Sequence, residues 1–301
     1  LDAMWGLPVG GQPTLRPIDS GGLFEGTYNV TCTYFDAQDI EHGASEPVSI
    51  SLLSGGGIEV VAPTAPIGAA RWAVYCTQAD GETYYQTHSV PVIVGQITIT
   101  NSDMGVGKLL ETQDRHPPKP GHIVRHENGR IFIARHDTVT FTDPLRYHLT
   151  QPSQGMFWFD SDVLLMEPVR GGVFIGIEGR LFFLEGSDPY NVQQRQIHNA
   201  GPVPGAVTHV PGERLGVSTA TVPVFWTQDG AMWAGLPDGS LKSLTRDRFA
   251  LPSHRRGAMV LRQREGMSHV VSVLAQAGET STMAASDSVV AEVRRNCVKL
   301  N

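Results

Sequence analysis

Cysteine is nearly missing from this chain. Its 301 residues hold three, Cys32, Cys76 and Cys297, an odd number spaced far too widely for a CxxC metal knuckle. Cys32 and Cys76 lie in strand-like runs among β-branched and aromatic neighbours. Such positions read as buried free thiols rather than a bridge across a sandwich, which favours a reducing compartment during folding. No stretch approaches the roughly 20 apolar residues of a spanning helix, so no membrane span is expected. A secretory leader is not visible, although a start at Leu1 reads as a fragment of a longer chain.

Basic charge is also short. Lys and Arg number 23 against 30 Asp and Glu, a net charge of −7. Residues 1–120 hold 13 acidic and 5 basic residues, whereas residues 121–301 hold 17 and 18. The first part is an acidic module and the rest is nearly neutral. Neither has the clustered basic surface of a nucleic-acid binder.

Catalytic signatures are lacking too. There is no GxSxG elbow. Gly105 and Gly107, like Gly55–Gly57, lack the strand–loop–helix setting and the Lys of a phosphate cradle, and read as turns. His116, His122, His126, His136 and His148 crowd one stretch, but Arg125, Arg130 and Arg135 in the same stretch oppose a cation. Asp160 with Asp162, or Glu178 with Glu185, would serve as glycosidase carboxylates only if the fold set two of them about 5–10 Å apart. Turn and solvent-facing acids are the simpler reading. The expectation is therefore a protein that is not an enzyme, with no catalytic, cofactor-binding or metal residues.

What the chain has in quantity is punctuation: 33 Gly and 20 Pro within 41% hydrophobic residues. That pairing predicts a buried core made from many strands and turns with few helices. The clearest sentence is residues 171–189, GGVFIGIEGRLFFLEGSDP. Two apolar runs flank Glu178-Gly179-Arg180, and the second stops at Gly-Ser-Asp-Pro, so this reads as one β-hairpin with a hard stop.

Read in order, residues 1–22 form an extended arm. Residues 23–104 form a sandwich resembling an immunoglobulin or fibronectin type III domain, with the strand order open to a shift. Its candidate core is Tyr28, Val30, Trp72, Val74 and Cys76. Residues 105–121, with three prolines between Pro117 and Pro120, form a stiff linker. Residues 122–285 repeat the hairpin sentence: Phe132 precedes Phe174 by 42 residues and Asp143 precedes Asp188 by 45. A period of 40–50 with several strands per unit is the mark of propeller blades. The fold class expected is thus all-β, a sandwich followed by a degenerate or incomplete β-propeller of about four blade-like units. Candidate blade-packing residues are Phe132, Val173, Ile175, Leu181, Phe183, Phe225 and Trp233. Residues 286–301 are expected to hold a short C-terminal helix, capped by Ser286 with Arg294 and Arg295 in its last turn.

The succession of motifs resembles a group of structural proteins of tailed-bacteriophage virions. The residues that carry it are TYNVTCTYFDAQDIEHGASEP (27–47), ARWAVYCT (70–77), GKLLETQDRHPP (107–118), ENGRIFIARHDTVTFTDP (127–144) and the hairpin of 171–189. In this order they look like tail nozzle or tail-tube-associated proteins with a propeller body. The resemblance implies a virion location and a ring of identical subunits in a tail or neck, beside other tail or neck proteins, around the path of genome ejection. It implies non-specific passage of DNA and no catalytic residues. Two further readings stand beside it: a host-attachment propeller that binds or cleaves carbohydrate, and a cell-surface adhesion module.

Overall fold

The computed structural model describes residues 5–53, 55–219, 221–245, 251, 254–264, 267–275, 287–294 and 297–300, the last two segments and residue 264 by backbone alone. Regular structure among them is almost all β, with three 3-10 turns at Asn101–Asp103, Pro189–Asn191 and Gly212–Leu215. Two compact units emerge, Leu1–Pro120 with Phe141–Met156, and Gly121–Thr140 with Phe157–Asn301.

Seven strands build the first unit's sandwich: β1 (Thr14–Leu23), β2 (Gly26–Phe35), β3 (Val48–Leu52), β4 (Gly56–Val61), β5 (Arg71–Thr77), β6 (Tyr84–Pro91) and β7 (Gln96–Ile99). They form a three-stranded sheet, β1-β4-β7, and a four-stranded sheet, β3-β2-β5-β6. The period-two runs explain the layering. Tyr28, Val30, Cys32 and Tyr34 of β2 and Trp72, Val74 and Cys76 of β5 all enter one core with Leu23, Ile58, Val60 and Ile99 of the opposite sheet. Each large amphipathic ring in that core has its polar tip paired. Tyr28 donates to the Phe24 carbonyl at 2.9 Å, Tyr34 to that of Pro63 at 3.0 Å, and Trp72 to that of Val94 at 2.8 Å. The apolar rings are thus buried without stranding a donor.

Two stretches differ from the sequence reading. Residues 14–22 of the expected arm, with Leu23, are strand β1, which pairs with β4 from Thr14↔Val61 to Leu23↔Gly56. Their Pro and Gly content hid a strand that bulges between Ile18 and Leu23. The linker also joins the sheet edge: the Gln86 and Leu110 amides donate to the carbonyls of Lys108 and Tyr84.

The remaining strands are β8 (Ile123–Glu127), β9 (Arg130–Arg135), β10 (Thr138–Asp143), β11 (Arg146–Thr150), β12 (Met156–Trp158), β13 (Val163–Val169), β14 (Gly172–Ile177), β15 (Arg180–Glu185), β16 (Gln193–His198), β17 (Pro202–Pro211), β18 (Thr221–Thr227), β19 (Met232–Gly235), β20 (Leu241–Ser243), β21 (Arg256–Arg264), β22 (Met267–Ala275), β23 (Asp287–Arg294) and β24 (Cys297–Leu300). They form four sheets of blade-like up-and-down order: β8 to β11 with β12 on β10, β13 to β16, β17 to β20, and β21 to β24. The strands of the first of these are divided between the two units. The 171–189 sentence is the β14–β15 hairpin, closed by the two-residue loop between Ile177 and Arg180, with Gly179 at φ 73°.

The C-terminal helix is not there. Residues 287–294 are strand β23, paired with β22 from Leu274↔Asp287 to Ser268↔Val293, and 297–300 are β24. Charge at the two ends of the segment suited a helix, but Val289, Val290 and Val293 are β-branched, and an open edge of β22 offers a ladder of backbone partners. The proposed N-cap, Ser286, lies outside the described residues.

Candidate functional site

Inside the second unit, β8, β13, β17 and β21, the opening strands of successive sheets, are neighbours. Three of them contribute to one charged cluster. Glu167 of β13 is fully buried. Arg125 of β8 grips it as a fork: Nε lies 3.1 Å from Oε1 and 3.2 Å from Oε2, and Nη2 lies 2.6 Å from Oε1. His209 of β17 approaches Oε2 through Nε2 at 2.9 Å. Burial pushes the Glu167 carboxyl up, but the bonds from His209 and Arg125 and their charge outweigh it and hold it below the usual range. A carboxylate bound on both oxygens and held ionised has no proton to lend and no free lone pair aimed at a substrate. Its chemistry is that of a clasp between three sheets.

Sequence reasoning missed this cluster. Arg125 stood there only as an obstacle to metal binding, and Glu167 and His209 were not singled out. The signal was present in the spacing: Arg125, Glu167 and His209 follow one another at intervals of 42, the same interval that links Phe132 to Phe174. One residue per repeat, at one position of the opening strand, brings the three side chains together.

A second polar group flanks an open depression of about 550 Å³, lined by Gln196, Ile197, His198, Asn199, Ala200 and Asp229. His198 Nε2 lies 3.0 Å from Asp229 Oδ2. Thr227 donates to the other carboxylate oxygen and in turn accepts from Trp233 Nε1 at 3.0 Å. Burial pushes the Asp229 carboxyl up, while Thr227 and His198 more than offset it and hold it low. Its lining contains one carboxylate, not the convergent pair of a glycosidase.

The residues singled out in the sequence are placed as follows. Tyr28, Val30, Trp72, Val74 and Cys76 lie in the sandwich core. Leu181 of the second blade-like sheet packs with Phe225 and Trp233 of the third. Phe183 packs with Phe174 and Val169, and Phe132, Val173 and Ile175 are buried. Asp160 is paired with Arg180, and Glu185 with Arg195 at 3.6 Å. Beside these, Trp226, the neighbour of Phe225, is buried and donates to Ser272 at 2.9 Å, whereas Trp158 is exposed. Cys32 and Cys76 are buried and free. Among the described residues no group of three or more His, Cys, Asp or Glu has the geometry to hold a metal ion, and no helix is long and apolar enough to cross a membrane.

One surface stands apart from these paired groups. On the fourth sheet, Gly257, Met259 and Leu261 of β21 and Val270, Ser272 and Leu274 of β22 turn one face toward the core of the third sheet. The opposite face carries the cross-strand pairs Ala258↔Val273 and Val260↔Val271, followed outward by Arg262↔His269 and Arg256↔Ala275. There Val260 is 57% and Val273 43% exposed. Cross-strand valines of this kind ordinarily face a neighbouring layer.

No protein-family model matches the chain, and no curated protein matches it. Among solved structures it is similar to the N-terminal domain of Nup159, at 8% identity and a TM-score of 0.35 over 98% of this chain and 71% of that one. It is similar also to BBS1N in complex with ARL6DN, at 8% identity and 0.36 over 91% and 93%. A third is Kluyveromyces lactis Hsv2p, at 11% and 0.29 over 79% and 72%. Likeness at this level carries no argument about what the chain does. The all-β architecture rests on the sheets themselves.

Proposed function

We propose that this chain is a non-enzymatic structural subunit that works by assembling with copies of itself, as a ring in a phage tail or neck around the path of exiting DNA. The observation that carries the reading is the exposed face of β21 and β22 among the described residues of the fourth sheet. Two valines more than two-fifths exposed, backed by a buried core on the other side, make a surface built to be covered. The buried charge supports the same reading, because Glu167 is committed to holding sheets together rather than to a reacting group. The order of sequence motifs supplies the virion setting. A conduit for DNA must not grip phosphate, and a chain of net charge −7 without a basic excess meets that requirement.

Light scattering on the native protein tests the reading. The expected mass is that of two or more 32.6 kDa chains. A strict monomer at micromolar concentration would overturn it.

A further inference from the structure

The exposed face that β21 and β22 share has a distinctive chemistry among the described residues. Its apolar centre is Ala258, Val260, Val271 and Val273, and exposed Arg256 and Arg262 flank that centre along β21. Packing this face on its own twin would set arginines of the two copies together over a desolvated patch, which like-charge repulsion disfavours. The occupant it suits is an apolar surface bordered by acids.

The first unit has one. At one end of the sandwich, Phe24-Glu25 connects β1 to β2, and Leu53 follows the last residue of β3. The register sets Gly26 opposite Leu52 and Leu23 opposite Gly56, so Phe24 and Leu53 leave their strands at the same end. Phe24 is 72% and Leu53 88% exposed. Glu25 and Asp80 border them, both exposed, and Asp80 is fixed there by accepting from the Thr27 amide at 2.9 Å. The tip is also braced from within, where Tyr28 donates to the Phe24 carbonyl at 2.9 Å. The two prongs are therefore held in place before any partner arrives, which lowers the ordering cost of binding. The segments 62–70 and 91–95 that carry Ile67 and Ile93, also exposed, contain no Asp or Glu of their own.

We infer that the Phe24–Leu53 tip of one copy seats on the Val260–Val273 face of the next. This deepens the proposed function and rests on it. The contact is head-to-tail: each copy offers one tip and one face, so a closed ring or an open filament follows, depending on the rotation per step. Apolar contact supplies the affinity, and Glu25 and Asp80 against Arg256 and Arg262 supply the register.

The test uses the full chain and light scattering. Val260→Glu places an acid in the acceptor face, and Leu53→Asp blunts the tip. Both positions are exposed, and circular dichroism verifies that each variant remains folded. Each variant alone is expected to fall to the mass of one chain. Mixed in equal amounts, they are expected to form a two-chain species and stop there, because one good tip meets one good face and both outer ends are blocked. Ile67→Asp is expected to leave the wild-type mass unchanged. Raising salt from 0.05 to 0.5 M, about a threefold shorter screening length, is expected to shift the wild-type midpoint of assembly to higher protein concentration.

A wild-type monomer would overturn both this inference and the reading it rests on. A wild-type multimer that survives Val260→Glu or Leu53→Asp would overturn the inference and leave self-assembly standing. Variants that each become monomers but do not pair on mixing would overturn the head-to-tail contact alone.

Discussion

Arg125 and Glu167 face each other across two sheets of the second unit, and both carboxylate oxygens lie within 3.2 Å of the guanidinium. Removing the cation while keeping the acid is the damaging change. Arg125→Met leaves a buried carboxylate with His209 as its remaining partner, and we expect a loss of about 3 kcal/mol, the usual result of breaking a buried pair. Arg125→Met with Glu167→Met is expected to recover most of that loss, because neither charge is then stranded. Urea unfolding of Arg125→Met, Glu167→Met and the double variant checks it; a double variant as weak as the sum of the two single losses would contradict the account. The clasp also has a pH dependence. The folded Glu167 value lies below the ordinary 4.5, so its stabilising share is fully present above 4.5 and is lost as pH falls through the folded value.

His42 gives the first unit an acid sensitivity at higher pH. Its Nδ1 accepts from the Leu7 amide at 3.1 Å while Nε2 approaches Asp36 at 3.3 Å, which fixes a neutral ring with the proton on Nε2. Burial lowers its pKa from 6.5; the bond to Asp36 opposes this, and the neighbouring His148 adds to it. The unfolded chain therefore takes up the proton first. Stability is full above about 6.5 and declines as pH falls from there through the folded value. Thermal melts at pH 7.5 and 5.5 are expected to differ more for wild type than for His42→Asn. Equal differences would remove His42 from the explanation.

The two sandwich thiols are expected to be inert. Burial raises Cys32 to about 11 and Cys76 to about 12, leaving almost no thiolate at neutral pH. In a Cys297→Ser background, Ellman's reagent is expected to titrate no thiol in the native protein and two in denaturant. Rapid native labelling would show that the core opens.

Two glycines with the same backbone sign are expected to differ in cost. Gly179 has φ 73° and no atom within 4 Å of an added Cβ, so Gly179→Ala carries only the left-handed penalty, about 1–2 kcal/mol. Gly230 has φ 77°, and a Cβ there would run into the Leu251 carbonyl. Gly230→Ala is expected to cost clearly more, by shifting the backbone that carries the Leu251 amide bond to Gly230. Melting temperatures of the two variants decide it.

The strands legible in the sequence were those whose alternation or turn chemistry is local. Tyr28 to Tyr34 announces its period of two, and the loop at Gly179 announces its hairpin. What stayed hidden depended on a partner far along the chain. The β1 ladder needs Gly56–Val61 to make sense of a Pro- and Gly-bearing segment. β23 needs the edge of β22 to outweigh helix-like end charges at 287–295. The Arg125–Glu167–His209 cluster is intermediate: its interval could be counted, but nothing local marked those three residues as sharing one spot. The open face of β21 and β22 was hardest, since alternation identifies two faces of a strand and cannot tell which of them lacks a covering layer.

The hairpin order of the last three sheets has a mechanical side. A chain of antiparallel hairpins pulled from its C-terminal end peels one strand at a time, because each ladder is loaded like a zipper rather than in shear. The buried fork of Arg125 on Glu167, with His209 behind it, interrupts that peeling at the opening strands. Load carried along the chain is shared there among three sheets at once, and the clasp adds a polar rivet to the apolar packing that already joins successive sheets.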